Sequence, residues 1–159
     1  MAVETKPFKR HNRASRHYNP GEAPGSLMAR TLELQDGSPQ AVVPAIKRGL
    51  APRAFLNLAE LIEVPESRLA KTVNISISTL ARRKKAGHFQ PDESERIYRI
   101  ARLFERASEV LEGEEAAREW LKSPLPALAG KTPLEFADTE PGAQEVEDLL
   151  GRIEHGVFS

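Results

Sequence analysis

Pro65-Glu66-Ser67-Arg68-Leu69-Ala70-Lys71-Thr72-Val73-Asn74-Ile75-Ser76-Ile77-Ser78-Thr79-Leu80-Ala81-Arg82-Arg83-Lys84-Lys85-Ala86-Gly87 has the logic of a helix-turn-helix over 65–86. Pro65 starts a short helix with Leu69, Ala70 and Val73 inward, and Asn74-Ile75 breaks it. Ser76 is a good N-cap for a second helix, because its hydroxyl can accept one of the unpaired N–H groups of the first turn. That helix runs to about Ala86 and stops at Gly87. At about 100° per residue, Ile77, Leu80 and Ala81 are expected to face the core. Thr79, Arg82 and Ala86 then point the other way, flanked by Ser78 and Arg83. In such a motif the N-terminal end of the second helix can approach base edges. Ser and Thr hydroxyls suit bases or phosphates, and Arg can bind guanine through two bonds. Lys84 is expected to snorkel toward phosphate from nearer the core edge, and Lys85 lies where the helix dipole favours a cation. The candidate DNA-binding residues are Ser76, Ser78, Thr79, Arg82, Arg83 and Lys85. The plainer reading is a helical hairpin with a solvated Arg-Arg-Lys-Lys run.

Helical signals extend on both sides. Residues 1–26 read as a disordered basic tail, rich in Lys and Arg, with Pro and Gly and little to bury. Leu27 to Leu34 has apolar content without a clear start signal and reads as a weak helix or strand. Val42, Val43 and Ile46 predict a short helix with Pro44 in its first turn and a stop at Gly49. Pro52 opens another, with Phe55, Leu58, Ala59 and Ile62 in one stripe. Pro91-Asp92 opens the longest, with Asp92 and Glu95 resembling a capping box. Ile97, Ile100, Ala101, Phe104, Ala107 and Leu111 form its apolar stripe, and Arg99, Arg102 and Arg106 its opposite face. Gly113 is the expected stop, followed by a shorter helix over 114–122 that carries Trp120. Thr132-Pro133-Leu134-Glu135 is a second capping signal, and Val146, Leu149, Leu150 and Ile153 line a final helix over 143–155. Sustained period-two alternation is absent, so the expected architecture is all-α. A helix-turn-helix DNA-binding region over 27–99 would be followed by a small helical domain over 100–159.

The formal net charge of zero over 159 residues hides a split. Residues 71–106 hold nine basic and four acidic side chains, whereas residues 107–159 hold four and twelve. A basic front attracts phosphate, and an acidic rear suits a protein partner. Without cysteine, a disulfide framework, a Cys-ligated zinc and a cysteine nucleophile are excluded. The apolar runs are too short to span a bilayer and no secretory signal opens the chain, so a cytoplasmic address is expected. His11, His17, His88 and His155 lie at no recognised metal spacing. No glycine-rich phosphate loop or Gly-x-Ser-x-Gly occurs, so neither cofactor, metal nor enzymatic activity is expected.

From Ile46 onward the chain resembles the Xre/MbcA/ParS-like antitoxins of prokaryotic type II toxin–antitoxin systems. The residues that carry the likeness are Ile75 to Arg83, Glu93-Ser94-Glu95-Arg96, Trp120 to Pro124, Leu128 to Glu135, Thr139-Glu140-Pro141-Gly142 and the closing Val146, Leu149-Leu150 and Arg152 to Gly156. The resemblance implies operator binding and repression of its own operon through the helix-turn-helix. It implies a toxin-binding domain at about 100–159, a RES-fold, NAD-consuming toxin as partner, and a homodimer that forms a larger complex with toxin. It places toxin contact on Leu128, Pro133, Leu134, Arg152, Glu154 and Gly156. The acidic rear and its apolar tip add Val157 and Phe158, which could plug a basic active site. The alternative is a stand-alone transcriptional regulator whose rear domain dimerises or senses a ligand.

Overall fold

The computed structural model describes residues 25–156. Among them are nine α-helices and no strand. They are α1 (Leu27–Thr31), α2 (Pro39–Arg48), α3 (Pro52–Ile62), α4 (Glu66–Thr72), α5 (Ile77–Ala86), α6 (Pro91–Val110), α7 (Glu114–Leu121), α8 (Pro133–Phe136) and α9 (Glu140–His155). A single 3-10 turn, Pro126–Leu128, lies between α7 and α8. The starts are written in hydroxyls and prolines. Ser26, Ser38, Ser76, Thr132 and Thr139 each accept the backbone N–H three residues on. Proline occupies the first turn of α2, α3, α6, α8 and α9, where its missing N–H has no intrahelical partner to lose.

Helix α6 is the spine. It packs against α1, α2 and α3 on one side of the molecule and against α7 and α9 on the other. Ile97, Ile100, Leu103, Phe104 and Ala107 are fully buried along it, and one continuous apolar core runs from Met28 to Leu150. The position between residues 99 and 100, where the sequence suggests a division, falls inside this helix. Each fully buried Phe or Leu of this core contributes about 1.5–3 kcal/mol relative to exposure.

Several details differ from the sequence reading. Leu27 to Thr31 is a helix whose start signal is Ser26, a residue assigned above to the tail. The Ser26 hydroxyl donates to Glu105 Oε1 at 2.6 Å, and the same carboxylate accepts the Met28 N–H at 3.2 Å. A carboxylate of α6 thus sits on the positive end of α1. The rest of the expected tail, residues 1–24, lies outside the described residues. Pro44 is interior to α2, because Pro39 already takes the first turn; Pro44 is tolerated on an exposed face. The capping carboxylate of α6 is Glu93, not Glu95: with Pro91 in the first helical position the N-cap is Gln90, whose N–H donates to Glu93 Oε1 at 2.8 Å. Gly113 is the N-cap of α7, and α6 ends earlier, at Val110 with Leu111 as its C-cap.

The largest difference concerns the arginines of α6. Arg99, Arg102 and Arg106 do not form a solvent face. They meet Glu140, Glu147 and Glu154 of α9, with Arg99 Nε 2.8 Å from Glu140 and Arg102 Nε 2.9 Å from Glu147. Spacings of three and four keep the arginines on one face of α6, and spacings of seven keep the glutamates on one face of α9, so a line of cations meets a longer line of carboxylates that the long side chains reach. Part of the charge split in the sequence is therefore neutralised inside the molecule.

Candidate nucleic-acid interface and partner-binding surface

The turn between α4 and α5 is tightly specified. Asn74 adopts the left-handed conformation at φ 53°, and Ile75 N–H reaches back to Ala70 O at 2.8 Å while Asn74 N–H reaches Lys71 O at 3.2 Å. This is the hydrogen-bond pattern of a helix ended by a left-handed residue, with Asn in place of the usual Gly. Ile75 is then buried, which pins the turn to the core. Arg96 of α6 closes it from below: its Nε donates to Val73 O at 2.6 Å and Nη1 lies 3.2 Å from Asp92 Oδ2. A cation thus rests on the orphan carbonyls at the end of α4.

Helix α5 is capped by Ser76, whose Oγ accepts the Thr79 N–H at 3.1 Å and donates to Thr79 Oγ1 at 2.9 Å. Arg82 Nη2 donates to the same Thr79 hydroxyl at 3.0 Å. Ser76, Ser78, Arg82, Lys84 and Lys85 are exposed, and Thr79 is half-buried. Leu80 alone is buried on this helix. Ile77, at 59% exposure, and Ala81 point outward, contrary to the expectation that both face the core. The inner face of α5 is Thr79, Leu80 and Arg83: Leu80 is inward as expected, and the helix is turned so that Ile77 and Ala81 are not.

Arg83 explains that rotation. It grips Glu93 of α6 with two parallel bonds, Nε to Oε1 at 2.7 Å and Nη2 to Oε2 at 3.2 Å. Glu93 is 6% exposed. Burial alone would raise its carboxyl pKa. The Arg83 guanidinium and the Gln90 N–H together outweigh this and hold the carboxyl below the usual range. The same contact raises the Arg83 pKa. Arg83 therefore orients α5. Lys84 is likewise directed at protein: it is exposed and its Nζ lies 3.0 Å from Glu66 of α4. Arg82 and Lys85 pair with no carboxylate among the described residues.

At the rear, α8 and α9 meet at close range. A Cβ on Gly142 would lie 1.8 Å from Phe136 O, so only glycine fits where α9 begins. Ala143, Val146 and Leu150 bury one stripe of α9. An open groove of about 520 Å³ follows the α8–α9 junction, with Phe136, Thr139, Pro141 and Glu145 in its lining. A second cleft of about 360 Å³ sets Lys131, from before α8, beside Arg68 and Lys71 of α4.

Comparison with known proteins matches this division of labour. Residues 41–102 match the antitoxin Xre-like helix-turn-helix domain. Residues 106–156 match the antitoxin Xre/MbcA/ParS C-terminal toxin-binding domain. The antitoxin Xre of Yersinia enterocolitica is 33% identical over 147 residues, which covers 91% of this chain and 99% of that one. The chain belongs to the Xre/MbcA/ParS antitoxins. The Prs ADP-ribosylating antitoxin of a Sphingobium species is 30% identical over 138 residues, 79% of this chain and 86% of its own. The antitoxin Xre of Photorhabdus laumondii is 39% identical over 93 residues, 57% of this chain and 63% of its own.

The residues expected to meet toxin are scattered by depth in this antitoxin. Leu128 and Leu134 are 1% and 0% exposed and belong to the core, and Pro133 is buried as the first residue of α8. They shape the surface from beneath. Arg152 is half-buried and lies 3.4 Å from Glu145 Oε1. Glu154 is exposed but bonded to Arg106, which lowers its carboxyl pKa. Gly156 is exposed and ends α9 in the left-handed conformation at φ 67°. Val157 and Phe158 lie outside the described residues. Gln144 and Asp148, which sequence reasoning passed over, stand exposed on the outer face of α9, four residues apart and joined by a 3.0 Å bond. Among the described residues no helix is long and apolar enough to cross a membrane, and no cluster of His, Asp or Glu could hold a metal.

Proposed function

We propose that this antitoxin represses its own operon by placing α5 in the major groove of operator DNA, and that its C-terminal region inhibits a RES-fold, NAD-consuming toxin. The observation that carries the DNA half is the outer face of α5. Ser76, Ser78, Arg82 and Lys85 are exposed together on a helix without carboxylates. Arg82 can grip guanine through two bonds, the serines can bond bases or phosphates, and Lys85 can meet the backbone. Thr79 supports this face by bonding both Ser76 and Arg82. Arg83, first counted among the DNA contacts, serves as the residue that fixes the helix's angle through Glu93.

Support for the toxin half is the match of residues 106–156 to a toxin-binding domain, together with the exposed carboxylates Glu114, Glu115 and Glu119 of α7 and Asp148 of α9. An NAD site must accommodate a pyrophosphate and so offers positive groups, which an acidic partner complements. The Sphingobium relative is named for ADP-ribosylation, a chemistry that draws its ADP-ribose from NAD, and this supports the same partner class. A homodimer would present two copies of α5 to a two-fold symmetric operator, one helical turn apart.

Two experiments test this. Arg82→Ala with Lys85→Ala should weaken binding to the promoter segment and flatten the salt dependence, by about 0.9 log units per lost phosphate contact. An unchanged affinity and slope would remove α5 from the interface. Expression of the neighbouring gene should arrest growth and deplete NAD, with rescue by this antitoxin. Arrest and rescue at steady NAD would change the toxin class.

A further inference from the structure

Ile77 is the most exposed of the large apolar side chains among the described residues, at 59%. It is the first residue of α5, the end of a recognition helix that penetrates furthest into the groove. Ala81 follows one turn later and is also exposed. Exposed near them on the helix are Ser76, Ser78, Arg82 and Lys85, and on their own face Lys84, whose charge is met by Glu66. A β-branched apolar residue gains nothing from water there. A protein partner would want a broader apolar patch than one isoleucine and one alanine set among cations. In the major groove, the single apolar group on any base edge is the 5-methyl of thymine.

We propose that Ile77, with Ala81 behind it, reads thymine: the pair packs on the 5-methyl group of an operator thymine while Arg82 and the serines bind polar edges nearby. Small Ala81 lets the helix approach closely, and Ile77 covers the methyl from the groove floor outward. The Arg83–Glu93 pair makes this possible, because it rotates α5 so that the apolar positions 77 and 81 leave the core. This inference rests on the operator-binding reading above.

The test uses the promoter segment upstream of the protein's own coding sequence, amplified once with dTTP and once with dUTP. Uracil pairs like thymine but lacks the methyl. The full-length wild type should bind the uracil duplex about fourfold more weakly for each methyl it covers. Ile77→Ala should bind both duplexes equally, near the wild type's affinity for the uracil duplex, with an unchanged melting temperature because the side chain is exposed. Equal binding of both duplexes by the wild type would overturn the inference and leave operator binding intact. So would an equal loss in wild type and Ile77→Ala, which would assign the effect to duplex shape. No specific binding of the thymine duplex by the wild type would overturn the operator reading itself, and this inference with it.

Discussion

Helices α5 and α9 are fixed to the rest of the molecule by opposite means. Helix α5 buries one apolar side chain, Leu80, and takes its angle from the Arg83–Glu93 pair. Helix α9 buries Gly142, Ala143, Val146 and Leu150 and adds a line of arginine–glutamate contacts to α6. A helix that keeps most of its circumference exposed has little left for burial, so a directional, two-bonded ion pair replaces area. A helix that shows only one face can be seated by area, and its charges then tune the seat.

The largest effect expected is on the apolar side of this contrast. Leu150→Ala should cost about 2–5 kcal/mol in urea unfolding, the range for emptying a packed leucine site. Because the core is continuous across α6, the loss should appear as one transition shared by near- and far-ultraviolet probes. Two separated transitions would show that the front and rear fold independently.

Next is the polar side. Glu93→Gln leaves Arg83 without its charged partner and should cost about 1.5–3 kcal/mol, the range for a hydrogen bond to a charged group. If α5 meets DNA as proposed, DNA affinity should fall as well, although Glu93 itself is buried. The pH dependence has a definite sign. The Glu93 carboxyl is held below its ordinary value, so its contribution is present above the unfolded pKa of about 4.3 and is lost as pH falls through the folded value. Stability should therefore drop in acid below about pH 4.3, and Glu93→Gln should flatten that drop. An equally steep acid limb in the variant would assign it to other carboxylates, with Glu154 held low by Arg106 as the first suspect.

A smaller effect of opposite sign tests the outer face of α9. Gly151 lies inside that helix, and a Cβ there would meet nothing within 4 Å. Gly151→Ala should therefore raise stability by about 0.5–1 kcal/mol, since glycine in a helix interior is entropically costly. If the toxin approaches the open backbone at this position, the same variant should neutralise toxin less well despite being more stable. Unchanged neutralisation would place the contact elsewhere.

The two helices were also unequally legible. The start and stop of α5, Ser76 and Gly87, follow from the sequence because hydroxyl caps and terminal glycines are local chemistry. Its rotation does not. Ile77, Leu80 and Ala81 have the spacing of a core stripe, and periodicity cannot distinguish a residue kept apolar for a core from one kept apolar for a partner. Glu93 held the missing signal: a carboxylate two residues after Pro91 is placed to cap and to receive Arg83. For α9 the buried stripe was legible at Val146 and Leu150, whereas Leu149 and Ile153 are only half-buried, Gly142 and Ala143 extend the stripe toward the start of the helix, and the Arg99, Arg102 and Arg106 contacts were not legible. Arginines on a helix face read as solvated until a second helix, many residues later, brings carboxylates opposite. Ser26 is also a local cap, but the five-residue helix it opens is too short to show a helical period, and its second partner, Glu105, lies far away in the chain.

The smallest effect expected comes from those same arginines. Arg102 and Glu147 remain 37% and 26% exposed, so water screens their attraction. A double-mutant cycle with Arg102→Ala and Glu147→Ala should give a coupling of only about 0.2–1 kcal/mol, and moderate salt should reduce it further. Arg102 also lies 5.6 Å from the centre of the Tyr98 ring, so Arg102→Ala alone should cost slightly more than Glu147→Ala. A coupling well above this range would mean that charge, not the Ala143–Val146–Leu150 stripe, seats α9. The contrast with α5 would then collapse, and both functional helices would be hung from α6 by ion pairs.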